Sequence, residues 1–146
     1  MAAPGYQLVK NDGTIPKGAA ALGFQNDGGG VWYVGVANTS NGPICGKAKT
    51  NVCYYPWNNK ENKTTDFSFL CFDEGVQPTL VKNYGVEPEN ILPLGNQKDS
   101  GVHYPCIGKT PYGNIPGKAK GKFCWYAYDG QEIRTPDFEW ITLAPK

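Results

Sequence analysis

Short stretches of β-branched and aromatic residues alternate with glycine- and proline-containing turns along the whole chain. The stretch Val31–Ala37 follows a glycine run at 28–30, and the turn dipeptide Asn41-Gly42 separates it from the next stretch. This pattern predicts antiparallel β-strands joined by short loops. The predicted strands are residues 31–37, 44–49, 52–55, 67–70, 102–104, 115–120, 123–126 and 138–141. Only residues 16–22 and 88–94 could form a helical turn.

The chain also repeats itself, which is the most informative feature of the sequence. Leu8-Val9-Lys10-Asn11 recurs as Leu80-Val81-Lys82-Asn83, and Gly46-Lys47-Ala48-Lys49 recurs as Gly117-Lys118-Ala119-Lys120. The offset is 72 residues before the glycine run at 28–30 and 71 residues after it. The chain is therefore two copies of one unit.

The repeat predicts how the chain is organised. Two copies are too few for a solenoid or a propeller, and a unit of about 70 residues buries little surface alone. We therefore expect repeats at residues 1–74 and 75–146 to share one core. The predicted fold is all-β: two tandem repeats of antiparallel strands, packed with pseudo-twofold symmetry into one compact, β-sandwich-like domain.

Composition and charge exclude several other classes. With 19 Gly and 12 Pro in 146 residues, the chain is unsuited to a helix bundle or a coiled coil. Nine Tyr, six Phe and four Trp argue against disorder. Fourteen basic and 13 acidic residues give a net charge of +1, without the electrostatic field of a nucleic-acid binder. We expect neither a nucleic-acid partner nor membrane insertion.

The N-terminus and the cysteines bear on the cellular compartment. Met1-Ala2-Ala3-Pro4-Gly5 lacks the basic and apolar regions of a secretory signal, so we expect a cytoplasmic protein, with unconventional export left open. Five cysteines form no C-x-x-C pair and cannot all be disulfide-bonded to one another. Buried, reduced thiols are the expected state.

The polar residues kept in both repeats are the candidates for a shared task. They are Asp27 and Asp99, Lys47 and Lys118, Lys49 and Lys120, Glu61 and Glu132, and Asp66 and Asp137. Alternation along a strand would place Lys47 and Lys49 on one side with Ala48 inward. Taken singly, the aspartates are typical of turns and the lysines are typical of a solvent-exposed face. We interpret the glutamates as structural hydrogen-bond acceptors. Retention of an Asp loop and a Gly-Lys strand in both copies favours a binding site.

Catalytic and metal-binding patterns are missing from the sequence. The one histidine, His103, corresponds to Trp32 in the first repeat, so a site used by both repeats cannot depend on an imidazole. No Walker or dinucleotide-binding glycine motif occurs, because Asp27-Gly28-Gly29-Gly30 leads into a predicted strand. No metal-ligand cluster is present either. We expect a non-enzymatic protein without a metal or another cofactor.

The order and spacing of the repeated motifs resemble the DM-nine (DM9) repeat family, found in invertebrate lectins and at the N-terminus of natterin-like toxins. The first copy contains Thr14-Ile15-Pro16, Asp27-Gly28-Gly29, Tyr33-Val34-Gly35-Val36-Ala37, Cys45-Gly46-Lys47, Tyr54-Tyr55-Pro56-Trp57 through Glu61, and Asp66–Leu70. The second contains Pro88, Asp99, Tyr104, Pro116-Gly117-Lys118, Tyr126 through Glu132, and Asp137–Ile141. The family arginine is replaced by Val36 and Ile107, the first Pro-Gly-Lys proline by Cys45, and the histidine after Glu by Asn62 and Ile133.

The resemblance implies a mannose-binding lectin that needs no metal and forms a homodimer. The sugar-binding residues would be Asp27 with Lys47 and Asp99 with Lys118. A carboxylate accepts from adjacent sugar hydroxyls, and an ammonium donates to sugar oxygens. The expected partners are mannose or high-mannose glycans on microbial or glycoprotein surfaces, for pattern recognition in innate defence. Whether each Asp–Lys pair acts within its own copy or across the seam between the copies is left open.

Three other functions are considered. A protein-interaction module would use exposed aromatic residues around Trp57 and Tyr128 and would be indifferent to sugar. A membrane-acting defence protein, like the natterin-type toxins, would need a pore-forming domain that this sequence does not contain. An enzyme would turn over mannosides.

Overall fold

A computed structural model describes residues 5–143 as an all-β chain of fourteen strands without a helix. The strands are β1 (Tyr6–Lys10), β2 (Gly23–Gln25), β3 (Gly30–Thr39), β4 (Gly42–Lys49), β5 (Val52–Trp57), β6 (Lys60–Thr64), β7 (Phe67–Phe72), β8 (Thr79–Lys82), β9 (Gly95–Gln97), β10 (Gly101–Thr110), β11 (Gly113–Lys120), β12 (Phe123–Tyr128), β13 (Gln131–Thr135) and β14 (Phe138–Thr142). The predicted all-β class is confirmed. Most of the N-terminal segment Met1–Gly5, which lacks the features of a secretory signal, lies outside the described residues.

All the predicted strands are present, and six further strands were not predicted. The additional ones are β1, β2, β6, β8, β9 and β13. Strands β6 and β13 have polar sequences, KENKT and QEIRT, and no residue in either is fully buried. Pairing with a neighbouring strand, rather than apolar alternation, makes them strands. The segment at residues 16–22 holds a tight turn in which Ala19 N donates to Pro16 O at 3.3 Å.

The strands follow an order that reads alike from both ends: β1-β7-β3-β4-β5-β6-β13-β12-β11-β10-β14-β8, with antiparallel pairing throughout. Strand β2 pairs with both β3 and β11. These pairings close a ring of eight strands, β3-β4-β5-β6-β13-β12-β11-β2. Strands of both repeats therefore make up one ring.

Two hairpin turns fit closely against the opposite repeat. Gly42, the first residue of β4, has a φ of 103°, and a Cβ there would lie 2.0 Å from Asn96 O. Gly113, the first residue of β11, has a φ of 124°, and a Cβ there would lie 2.0 Å from Phe24 O. Only glycine fits both the backbone conformation and the space. These glycines let each hairpin contact a short strand of the other repeat.

The largest apolar cluster takes residues from both repeats. Its buried members are Ala20, Val34, Val36, Cys45, Leu70, Leu92, Leu94, Ile107, Ile141 and Leu143. Two smaller clusters belong to single repeats, one around Phe67 and Phe69 and the other around Phe138 and Trp140. The seam between the repeats is therefore a packed core, and the polar residues described below lie along the same seam.

The cysteines differ in part from the expectation of reduced thiols. Cys45, Cys53 and Cys71 are free and buried, and burial raises the pKa of Cys45 to about 12. Cys106 and Cys124, in contrast, form a disulfide, so the expectation is wrong for this pair. Strands β10 and β12 flank β11, which brings the two side chains together within the second repeat's core. No helix long and apolar enough to cross a membrane occurs in residues 5–143.

Candidate functional site

A buried lysine on β4 organises the polar site of the first repeat. Lys47 is 3% exposed, and its Nζ donates to Gln25 Oε1 at 2.7 Å and lies 3.4 Å from Glu61 Oε2. Gln25 Nε2 lies 3.2 Å from Asp27 Oδ2 and 3.4 Å from Oδ1. Asp27, Gln25, Lys47 and Glu61 thus form one hydrogen-bonded chain, which we call the first site.

The second repeat builds the same chain of side chains, which we call the second site. Lys118 is 4% exposed, donates to Gln97 Oε1, and lies 3.3 Å from Glu132 Oε2. Gln97 Nε2 donates to Asp99 Oδ1 at 3.0 Å. Gln25 and Gln97 are the last residues of the short strands β2 and β9, which places them beside the lysines of β4 and β11.

Each glutamate also reaches across the seam. Glu61 Oε1 accepts from Gly130 N at 3.1 Å, and Glu132 Oε1 accepts from Asn59 N at 3.0 Å. One carboxylate oxygen therefore neutralises the lysine of its own repeat, while the other holds a turn of the opposite repeat. The interpretation of these glutamates as structural acceptors is confirmed: the donors are backbone N–H groups, and the salt bridges to the lysines are an addition.

The loops that carry the aspartates are fixed from two directions. Lys49 Nζ donates to Gly29 O and, at 2.8 Å, to Val31 O, and Lys120 Nζ donates to Ser100 O. From the opposite repeat, Tyr112 O accepts from Asn26 N at 2.9 Å, beside Asp27. At the equivalent place in the second site, Asn41 O accepts from Lys98 N at 2.9 Å. Lys49 and Lys120 are thus loop anchors.

Aromatic side chains form the walls of the first site. Trp32, Tyr54 and Tyr128 lie around Lys47 Nζ, with ring centroids at 4.7, 5.7 and 5.4 Å. Together with the four polar residues and Asp129 they line an open cavity of about 260 Å³. Asp27 lies at its rim, where its carboxylate faces solvent. The cavity has the dimensions of a single sugar ring. Charged groups lie at its base and aromatic rings at its sides.

Burial and hydrogen bonding shift the acidities of these groups. The backbone N–H of Gly29 and then the hydroxyl of Tyr128 hold the pKa of Asp27 below its usual value. Burial lowers the pKa of Lys47, and the neighbouring Glu61 opposes that effect. In the second site, the hydrogen bond from Gln97 lowers the pKa of Asp99. Both aspartates are carboxylates at neutral pH and serve as acceptors.

The second site has different neighbours. His103 takes the place of Trp32, is 4% exposed, and makes an edge contact with Trp125 at 6.2 Å between ring centroids. Its Nδ1 lies 3.0 Å from Gly101 O. Burial lowers the pKa of His103, so the ring is neutral at pH 7. Within residues 5–143, no group of three or more His, Cys, Asp or Glu side chains could hold a metal ion.

Comparison with known proteins identifies the repeat. The DM9 repeat family model matches residues 26–135, which is more than half of the chain. The chain belongs to the DM9 repeat family. No curated protein sequence matches it significantly.

The DM9 chain also resembles a solved structure, that of the nematode sperm cell motility protein MFP2B. The TM-score is 0.67 at 16% sequence identity, over 97% of this chain and 44% of MFP2B. The chain therefore spans less than half the length of that protein. At this identity, the likeness shows a common fold.

The structure brings together the residues of each predicted aspartate–lysine pair in the DM9 chain. Asp27 and Lys47 line one cavity, and Asp99 and Lys118 are joined through one glutamine, so each pair lies within its own repeat. The solvated face considered for single lysines does not apply to Lys47 and Lys118, which are 3% and 4% exposed. The opposite repeat adds Tyr128 to the wall of the first site and Tyr112 to its loop support, whereas Trp32, Tyr54 and Lys49 belong to the same repeat as the site.

Sequence reasoning missed two kinds of residue. Gln25 and Gln97 join each aspartate to its lysine, and their duplication was the signal that could have identified them. Tyr128 touches Asp27 from 101 positions away, and no local signal marks it. A larger groove, of about 690 Å³, lies between residues 17–22 and 72–80, but it contains none of the duplicated polar residues.

Proposed function

We propose that this DM9 protein is a lectin that binds mannose and mannose-rich glycans at the first and second sites. The observation that supports it best is the duplicated chain from aspartate through glutamine and lysine to glutamate. Each lysine has three N–H donors, of which glutamine and glutamate use two. The third donor and the exposed aspartate oxygens suit the donor and acceptor pattern of a sugar diol.

The glutamine and glutamate contacts give the site a fixed shape before a ligand arrives. A lysine held by two partners loses little rotamer freedom on binding, which lowers the entropic cost of association. The tryptophan and tyrosine rings beside Lys47 offer faces for the C–H surface of a pyranose. The proposal requires no metal and no catalytic step.

Such a site would bind weakly alone, near millimolar, or about −4 kcal/mol. Two sites in one chain, and more in a homodimer, would give useful avidity for a microbial or glycoprotein surface. We propose pattern recognition in innate defence as the setting. Neither nucleic acid nor membrane insertion is part of the proposal.

A pseudo-twofold relation between the repeats also belongs to the proposal. Its support is the strand order that reads alike from both ends and the matching contacts of Glu61 and Glu132 across the seam. Strand β2 pairs with both β3 and β11, whereas within residues 5–143 β9 pairs with β10 alone, which makes the two halves unequal at this point. The sandwich-like description of the packing stays a prediction.

Glycan-array binding by the Asp27→Ala/Asp99→Ala double variant tests the sugar sites. We expect at least a tenfold loss of mannose binding, because two charge-assisted hydrogen bonds disappear at each site. The matched control is Asp66→Ala/Asp137→Ala, which removes the other duplicated pair of aspartates and should bind mannose as the wild type does. Unchanged mannose binding by the folded Asp27/Asp99 variant would refute the site assignment.

A second candidate function, a protein-interaction module, is favoured by an exposed apolar pair. Phe24 and Val31 are cross-strand neighbours on β2 and β3, 51% and 47% exposed. Trp57 and Tyr128, the aromatic residues first considered for this role, are only partly exposed. Retention on a high-mannose glycoprotein that persists in excess mannose, but is lost in Phe24→Ser, would favour this function over the lectin.

A further inference from the structure

The two sites share their four polar residues but differ in the side chain that the opposite repeat contributes. In the first site that residue is Tyr128, at the end of β12. Its counterpart, at the end of β5, is Trp57. Tyr128 Oη donates to Asp27 Oδ2 at 3.0 Å. In the described chain, no hydrogen bond joins Trp57 to Asp99.

The ring of Tyr128 is held in this position. It stacks on Tyr112, with ring centroids 3.9 Å apart and an angle of 11° between the rings. Tyr112 belongs to the hairpin turn that also accepts a hydrogen bond from Asn26 N, next to Asp27. The counterparts in the second site are Asn41 and Trp57, which cannot form a stack of two rings. The hydroxyl is thus aimed at Asp27 before any ligand binds.

The aspartates therefore differ in the acceptor capacity left for a ligand. Asp27 Oδ1 accepts from Gly29 N at 2.9 Å and Oδ2 accepts from Tyr128, while Gln25 lies near both oxygens. Asp99 Oδ1 accepts from Gln97 and Ser100, and within residues 5–143 no hydrogen bond reaches Oδ2. A carboxylate offers about four lone-pair directions, so each occupied direction reduces what a diol can use.

We propose that Tyr128 makes the two sugar sites unequal in affinity. Its hydroxyl competes with a ligand hydroxyl for Asp27, so a simple mannoside binds the first site more weakly than the second. The inference rests on the proposed function. It adds that one repeat regulates the sugar affinity of the other through a side chain on the seam.

The test uses single-site proteins titrated with methyl α-mannoside and followed by calorimetry. Asp99→Ala leaves the first site, and Asp27→Ala leaves the second. Adding Tyr128→Phe to Asp99→Ala removes the hydroxyl but keeps the stacked ring, and should tighten mannoside binding about three- to tenfold, as expected for one competing hydrogen bond. Adding it to Asp27→Ala should leave the second site's affinity unchanged.

Tyr84→Phe is the matched control, because Tyr84 is 81% exposed and belongs to neither site. It should not tighten binding by the Asp99→Ala protein. Equal or weaker binding after Tyr128→Phe, in a protein that binds mannoside, would overturn this inference alone. Absence of mannoside binding by the wild type and by both the Asp27→Ala and Asp99→Ala proteins, with unchanged melting temperatures, would overturn the proposed function and this inference with it.

Discussion

The first and second sites have the same four polar residues, Asp, Gln, Lys and Glu, which we call the frame, but different surroundings. In both, a buried lysine is joined to an aspartate through a glutamine and paired with a glutamate that crosses the seam. Around Lys47 lie Trp32, Tyr54 and Tyr128, whereas the second site has His103 and Trp125. The residues of the frame are therefore the same in both repeats, whereas the residues of the walls differ.

The comparison distinguishes contacts that support the fold from contacts that would affect ligand binding. A buried lysine without a counter-ion is costly, so we expect its glutamate partner to contribute to stability in both repeats. The wall residues make no such demand, since Trp32 and His103 both fit beside the lysine strand. We therefore expect stability to respond equally to changes in the two frames, and binding to respond unequally to changes in the two walls.

Removal of the glutamates should have the largest effect on stability. Glu61→Ala leaves Lys47 buried without its carboxylate and Gly130 N without its acceptor, and should lower the free energy of unfolding by about 3 kcal/mol. Glu132→Ala should cost about as much, for the same reason. Urea denaturation measures both losses.

The control for the glutamates is Glu139→Ala. Glu139 pairs with Lys109 at 3.1 Å, but both side chains are partly exposed, so this change should cost at most about 1 kcal/mol. A loss for Glu61→Ala no greater than that of the control would contradict the view of the frame as a buried network. A large difference between Glu61→Ala and Glu132→Ala would contradict the equivalence of the two frames.

The disulfide is a second asymmetry between the repeats, with an effect of similar size. Cys106 and Cys124 are 18 positions apart, and a cross-link over such a loop stabilises by about 3 kcal/mol. Gly35 replaces Cys106 in the first repeat, beside the free Cys53. Cys106→Ala should lower the free energy of unfolding by that amount, and dithiothreitol should lower the stability of the wild type but not of this variant.

Cys45→Ala is the matched control for the disulfide, because it also shortens a fully buried cysteine, but one that is free. It should cost about 1 kcal/mol through the small cavity that it leaves. Dithiothreitol should still lower its stability, as in the wild type, because the disulfide is intact. If dithiothreitol fails to lower the stability of the wild type, the disulfide does not contribute to it.

Much of the fold was predictable because the sequence carries it twice. The stretch Val31–Ala37 is β-branched and aromatic, so its strand is evident locally. In the second repeat only residues 102–104 of β10 were predicted, because the stretch around Cys106 matches the first repeat poorly. Strands β6 and β13 were missed because their residues alternate in neither hydrophobicity nor burial. Strands β2 and β9 have only three residues each, too few for any periodicity.

The candidate site was predictable in its charged residues but not in its connections. Duplication identifies Asp27 and Lys47 as retained, but it does not show that Gln25 lies between them. The disulfide was hidden because the repeat places Cys106 opposite a glycine. The contact of Tyr128 with Asp27 depends on how the repeats pack, which no offset between the copies encodes.

The smallest expected effect comes from the histidine that only the second site contains. Asp99, Lys118 and Lys120 lie near His103, and burial lowers the pKa of its ring from the usual 6.5. Between pH 6.5 and that lowered pKa the unfolded chain binds more protons than the folded one, so stability falls as the pH falls through this window.

The loss should stay below about 1 kcal/mol, and His103→Phe, which keeps an aromatic ring beside Trp125, should abolish it. Urea denaturation at pH 7 and at about pH 5.5, above the range where carboxylates titrate, measures the slope. Equal slopes in the two proteins would show that the pKa of His103 is the same in the folded and unfolded states. The second site would then differ from the first in its walls but not in its response to acid.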